Sequence, residues 1–589
     1  MPLKGKFREE LDYLRRLRRV FARNNPQLAP FLGEEATDPD VERLLEGFAF
    51  LTAKLRLKIE DDFPELTHSL LQLLWPNYLR PLPSATIIQF EPTDHSITGR
   101  QTVPRGTGVQ SRPVDGMQCQ FRTCQDVSVY PFDIADITDG HSLEKSIVRI
   151  DLSTLSQNPP STYDCDRLDF YLSGSDYNAQ TLYLWLAKYL GEIRMEVGGV
   201  VRHIPLNQVD FPGFQAESAL LPYPKNAMDG YRILQEYFLF PRRFYFFGLN
   251  NLRAFWPDQP TAGVRIEFHF TRPMPVDVRV RKGDLALYCT PAVNLFEHDA
   301  EPIRLTGKAA EHHLQPSGQR PDAYEIFSID KVDGWRNGDS GQPGEWLRTY
   351  QPFESFRHQI AHERGHTTLY YRTRLSSSLV ESGVEHRIAF VRGDDHHYIG
   401  REETVSLSLT CTNRDLPLAL GIGDICEDGQ RNTPAFVRFS NLTIPTPPYR
   451  PILDGDLHWS LISNLSPTYL SLLSAEPLKA IIGNYDFSAY HDIQRARTTQ
   501  MRLDSLKEVV SAPLDRMYKG LPIRGTRTVL KLDQSGFACE GDLYLFGTVL
   551  SHFFALYASL SSFHVLEAIN TTNQEHYAWP MRSGTQPLI

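Results

Sequence analysis

The sequence predicts an α+β protein, with an N-terminal helical segment, several β-rich domains of barrel or sandwich type, and a mixed C-terminal domain. Three observations carry that expectation. Before Pro83, apolar residues recur every three or four positions, the period of one helix face. From Ala85 onward the apolar residues alternate in short runs, the period of a half-buried strand. In addition, 41 prolines and 38 glycines spread along 589 residues supply the turns that many short strands need. Single cores stop growing near about 250–300 residues, so the chain divides. Its punctuation suggests segments at 1–83, 84–275, 276–446 and 447–589.

The first helix is expected over residues 3–24, where Leu3, Phe7, Leu11, Leu14, Leu17 and Phe21 keep a nearly heptad stripe. Asn24-Asn25-Pro26 stops it. Arg15, Arg16, Arg18, Arg19 and Arg23 crowd its second half, where cations suit a helix C-terminus and a solvated face. A narrow seam packs along another helix, whereas burial in a globular core wants a broader face. Phe7, Leu11, Leu14, Leu17 and Phe21 are therefore the candidate partner-binding residues. Asp38 can cap a second helix with Pro39 at its first position. Val41, Leu44, Leu45, Phe48, Leu51, Leu55 and Ile59 then form one apolar face. Phe63-Pro64 restarts the chain into a shorter stripe of Leu66, Leu70, Leu73 and Leu74, and Trp75-Pro76 ends it, because proline denies its predecessor the α conformation.

After the stiff corner of Pro76, Pro81 and Pro83, Ala85 to Phe90 reads as a strand, and short strands alternate with Pro and Gly turns through Asp151. LDFYLSGSD (Leu168 to Asp176) is expected as a strand with a turn, and YNAQTLYLWLAKYLGEI (Tyr177 to Ile193) as a helix. The aromatic run LQEYFLFPRRFYFFGL (Leu234 to Leu249) can anchor a core, since each large ring buries about 150–250 Å². Val264 to Phe270 and Val276 to Thr290 alternate as strands do, and Asp333 to Phe356 reads as an exposed loop. Pro445 to Pro451 is a stiff linker, after which His458 to Leu473 and Glu476 to Asp486 read as helices. Leu543 to Leu566 has no charged residue, but one face of its helical projection is small and polar. That pattern predicts a helix buried beside a close neighbour in place of a membrane span.

Composition narrows the function. A net charge of -10 argues against nucleic-acid binding, which usually brings a basic excess. Seven cysteines without a CxxC pair read as reduced thiols of a cytoplasmic protein, and charges near the start leave no apolar leader. One catalytic motif occurs: His362-Glu363-Arg364-Gly365-His366 matches HExxH, in which two helical histidines hold zinc and the glutamate activates water. A zinc metallopeptidase using His362, Glu363 and His366 is thus the alternative reading. Gly365 weakens the required helix, and Thr367 to Tyr371 turns at once to strand-forming residues. His312-His313 and Asp394 to His397 read as solvated loop clusters, and no phosphate loop or dinucleotide fingerprint is present. The expectation is a protein with no catalytic, cofactor or metal site.

Several blocks together carry a resemblance. The 38–90 stretch, LQEYFLFPRRFYFFGL, CTPAVNLFEHDAEPIRL (Cys289 to Leu305), LTCTNRDLPLAL (Leu409 to Leu420), HWSLISNLSPTYLSLL, GDLYLFGTVLSHFFALYASLSSF (Gly541 to Phe563) and WPMRSGTQPLI follow one another nearly end to end. In that order they resemble the TssF family, baseplate subunits of the bacterial type VI secretion system. The resemblance implies a structural role. Two copies would combine with one TssG into a wedge, with TssK linking to the membrane complex, TssE to the sheath, and the wedges surrounding the VgrG spike. It implies no nucleic acid, no direct membrane insertion, and a cytoplasmic location docked to the inner-membrane complex.

Overall fold

The computed structural model describes Phe7, Arg8, Leu11 and Leu14, then residues 43–52, 64–93, 97–224, 227–306, 309–336, 345–353, 369–377, 383–392, 403–428, 437–464, 474–518, 521–559 and 561–584. The architecture is α+β, as the two periodicities predict. The chain divides into two compact units, Met1–Leu70 with Leu453–Ile462 and Leu71–Ile452 with Ser463–Ile589. The helices used below are α1 (Pro64–Leu74), α2 (Asp176–Lys188), α3 (Asp229–Leu239), α4 (Gly455–Asn464), α5 (Ala475–Gly483), α6 (Ile493–Asp504) and α7 (Glu540–Phe554).

In the larger unit, Trp75 stacks on Tyr78 across the 3-10 turn Pro76–Leu79, so the proline corner is buried and rigid. It delivers the strand Ala85–Pro92 into a six-stranded sheet between Cys289–Val293 and Val437–Asn441. Ile88 lies opposite Thr290 on one side and Asn441 on the other, so this sheet is closed by residues remote in sequence. Pro445 to Pro451 is no free spacer: Thr446 N donates to Ala85 O at 2.9 Å, and Leu82 and Tyr449 exchange backbone hydrogen bonds. The stretch expected as an exposed loop, Asp333 to Phe356, instead carries a strand pair, with Glu325–Arg336 against Glu345–Thr349. His312 and His313 likewise lie in the strand Glu311–Leu314. Alternation from Val276 misleads too, because no strand begins until Leu285, although Val278 and Val280 are buried.

Two helix predictions ran too far, each for a local reason. α2 begins where the Ser175 hydroxyl accepts from Asn178 N and ends at Lys188. Leu190–Val197 is then a strand, because Ile193 and Met195 are fully buried on one face and it pairs with both Gly263–Phe270 and Val200–Ile204. α7 ends at Phe554, and Phe563–Asn570 continues as a strand parallel to Leu521–Leu532. The small, polar face of α7 does receive close neighbours. A Cβ on Gly541 would sit 2.1 Å from Gln180 O of α2, and one on Gly547 would meet the Trp579 ring. Trp579 Nε1 donates to Thr548 Oγ1 at 2.9 Å, and Arg582 Nε donates to Ser551 Oγ at 2.8 Å. The C-terminal Trp-Pro-Met-Arg run is therefore a clamp on α7.

The aromatic run is core. Every residue from Leu234 to Leu249 is buried except Pro241 and Arg242, which are half-buried. Burying Glu236 and Arg243 costs free energy unless they are paired and hydrogen-bonded. They pair with each other; Leu220 N donates to Glu236 Oε1, and Arg243 Nη2 donates to the carbonyls of Gly213 and Ser218 at 2.7 Å. The seven cysteines are all free. No helix among the described residues is long and apolar enough to cross a membrane.

Candidate partner-binding surface

The smaller unit holds the predicted docking residues. Phe7, Leu11 and Leu14 are helical, at four- and three-residue steps. Leu11 is buried at 8% exposure, while Phe7 and Leu14 are half-buried. Leu17 and Phe21 lie outside the described residues.

A second stripe in the same unit is open. Residues 43–52 are helical, and Leu44, Phe48 and Leu51 follow one another at i, i+4 and i+7 on one face. They are 74%, 62% and 57% exposed, and Phe50 beside them is exposed as well. The buried position of this helix is Ala49, with Leu45 and Thr52 half-covered. The apolar face read from the sequence is real, but its largest side chains point to solvent. α1 repeats the pattern: Thr67 and Leu71 are buried, whereas Leu66 and Leu74 of the predicted stripe are exposed. On α4, Leu457, His458 and Leu461 face inward, His458 meets His68 edge-on at 5.2 Å, and Trp459 is exposed.

Each such side chain gains roughly 1.5–3 kcal/mol when fully removed from water. Three large apolar groups at helical spacing, opposite a small alanine, match the helix-in-groove or helix-bundle mode of recognition. Among the described residues, no group of three or more His, Cys, Asp or Glu is placed to hold a metal ion. The HExxH segment 362–366 lies outside the described residues, as does Asp394 to His397. The strand Leu369–Ser377 begins three residues after the motif.

The family model for the type VI secretion system protein TssF matches residues 2–586. The chain belongs to the TssF family. Among relatives, the type VI secretion system component TssF1 of Pseudomonas aeruginosa is 30% identical, aligned over 99% of both chains. Among solved structures, a chain of the TssK-TssF-TssG baseplate subcomplex superposes with a TM-score of 0.76 at 31% identity. That match covers 92% of this chain and 99% of the other. A chain of the type VI secretion system baseplate complex is matched over the whole of both chains, with a TM-score of 0.67 at 26% identity. A TssF protein is a structural component of the secretion system's baseplate, and the resemblance read from the sequence blocks is correct.

Proposed function

We propose that this chain is a non-enzymatic scaffold that builds the baseplate wedge with TssG and TssK, docking through its N-terminal helical segment, residues 1–83. The observation that carries the reading is the open stripe of Leu44, Phe48 and Leu51 in a chain whose matched solved structure is a TssK-TssF-TssG subcomplex. A monomer that left such a stripe in water would expose a sticky face; a bundle with TssG helices covers it. Phe7, Leu11, Leu14, Leu17 and Phe21, the nearly heptad stripe of the sequence, are proposed to contribute to the same docking. The wedge contains a second copy of the chain, meets TssE and the VgrG spike, and sits on the cytoplasmic side of the inner-membrane complex.

The test is co-purification. The triple variant Leu44→Asp, Phe48→Asp, Leu51→Asp is co-expressed with TssG and TssK and pulled down through a tag on TssG. The variant is expected to keep its circular dichroism and lose TssG. Retention of TssG at the parental level removes the stripe from the interface.

A further inference from the structure

The TNRDLP run (Thr412 to Pro417), which the N-terminal docking surface leaves unexplained, borders a cleft of about 820 Å³ in the larger unit. Arg320, Arg414 and Arg450 line it together with Asp115, Asp322 and Asp415. Its floor is fixed. Asn413 Oδ1 accepts from Gln120 N at 2.9 Å and from Asn294 Nδ2 at 2.8 Å, and Asn413 N donates to Asn294 Oδ1 at 2.7 Å. Arg414 follows with φ of +49°, a left-handed conformation uncommon outside glycine. Such conformations persist where the surroundings over-determine them, often at functional sites.

Charge in the cleft is unevenly compensated. Arg450 lies 3.6 Å from the Asp415 carboxylate. Arg320 and Arg414 direct their Nη1 donors to the main-chain carbonyls of Asp115, at 3.0 Å, and Asp322, at 2.7 Å. Those bonds satisfy donors without neutralising a cation. Arg414 Nε and Asn413 Nδ2 are buried with no hydrogen-bond partner among the described residues. Glu325, two residues beyond the cleft-lining Ala323, is buried with Oε1 equally unpartnered. Burial pushes its carboxyl up to about 7 against the pull of Arg414 and Arg450, so it is an incomplete counter-ion at neutral pH.

An apolar knob adjoins this pole. Leu418, at the cleft wall, and Ile422 and Ile444 are all exposed. Asn441 Nδ2 donates to Gly421 O at 2.9 Å and its main-chain carbonyl accepts from Gly423 N at 3.1 Å, which ties the turn bearing Ile422 to the strand that precedes Ile444. A small metabolite would want enclosing, mostly apolar walls. A cleft that sets guanidinium groups beside the exposed Leu418 fits a polypeptide carrying both kinds of group.

We infer that this cleft receives an extended segment of another baseplate polypeptide, which sets a carboxylate side chain against Arg414 and a neighbouring aliphatic side chain on Leu418 and Ile422. The inference rests on the assembly reading above. Arginine suits the role because its guanidinium stays charged and its remaining Nη2 can donate a charge-assisted hydrogen bond to a carboxylate.

The test uses the assembled complex. Leu418→p-benzoylphenylalanine is introduced into the full chain, co-expressed with TssG and TssK, purified through the TssG tag and irradiated. The expected result is a cross-link to a partner peptide that has Asp or Glu beside an aliphatic residue. Its yield should fall about tenfold on adding Arg414→Glu, the loss expected for one charge-assisted contact. Arg320→Glu, at an exposed side chain, gives the same reading if Arg414→Glu does not fold. The inference is overturned by an assembled complex without a cross-link at Leu418, by a cross-linked peptide lacking an acidic residue, or by a yield that neither substitution changes. If the unmodified chain itself fails to co-purify with TssG, the assembly reading falls and takes this one with it.

Discussion

Arg502 Nη2 lies 2.9 Å from Asp542 Oδ2, and this ion pair joins α6 to the first turn of α7. Gln180 of α2 and Tyr237 of α3 also reach Asp542 Oδ1, at 3.5 and 3.4 Å, and the Arg502 guanidinium lies over the Tyr237 ring. Four helices thus converge on one buried carboxylate, held where the helix dipole favours negative charge. Removing one partner of a buried pair costs about 3–5 kcal/mol, because the other charge is stranded. Asp542→Ala should lower the stability of the larger unit by that order, read as a shift of the urea midpoint, and Asp542→Asn should fall between. A midpoint equal to the parent's for Asp542→Ala would deny the pair its structural role.

Two glycines make opposite predictions. A Cβ at Gly541 would meet the α2 backbone, which cannot swing aside as a side chain can. Gly541→Ala should therefore destabilise by about 1–3 kcal/mol, the usual cost of overpacking. Gly47 is helical with nothing within 4 Å, so Gly47→Ala should stabilise its helix by up to about 1 kcal/mol. Thermal midpoints of the two variants should move in opposite directions.

Three histidines, His564 buried and His386 and His552 half-buried, set an acid limit. Burial pushes His386 and His564 down to about 4, and His552 further, with the charges of Arg582 and Arg232 adding to the last. Folded, these rings stay neutral; unfolded, they titrate near 6.5. Below pH 6.5 the unfolded chain therefore binds protons that the folded chain refuses. Their contribution is full above pH 6.5 and is lost as the pH falls toward 4, by at most about 1.4 kcal/mol per pH unit for each ring. His552 stacks on Phe214 with ring centres 4.5 Å apart, so His552→Phe keeps the contact and should flatten the dependence. Denaturation midpoints at pH 7, 6 and 5 check it; an unchanged slope would place His552 outside the linkage.

The HExxH match carries its own test. The purified chain should hold well under one zinc per molecule after dialysis against a chelator, and His362→Ala with His366→Ala should leave assembly with TssG unchanged. Metal analysis showing one tightly held zinc, lost together with assembly in the double variant, would reverse that reading.

Local chemistry was legible, and long-range pairing was not. The Leu234 to Leu249 core follows from aromatic density, and Phe246 and Phe553 are buried as their spacing implies. The small face of α7 could be read as a contact face, yet nothing local to it names Trp579 and Arg582 as its partners. The strand at Leu190 was hidden because its apolar residues also continue a helical face, and pairing with Gly263–Phe270 decides between the two. Pro445 to Pro451 reads as a linker until Ala85 and Leu82 supply its backbone partners. On the docking side, periodicity found the stripe of Leu44, Phe48 and Leu51 but could not say whether core or solvent faces it. The cleft at Arg414 left only a family block as its trace, since its walls come from residues as distant as Asp115 and Arg450.

A scaffold of this kind is completed only by its partners. The most direct measurement is the native mass of the complex formed when it is co-expressed with TssG and TssK. One species containing TssG, TssK and two copies of this chain is expected, and it should be lost when Leu44, Phe48 and Leu51 become Asp. A chain that elutes alone at its monomer mass in the presence of both partners would contradict it.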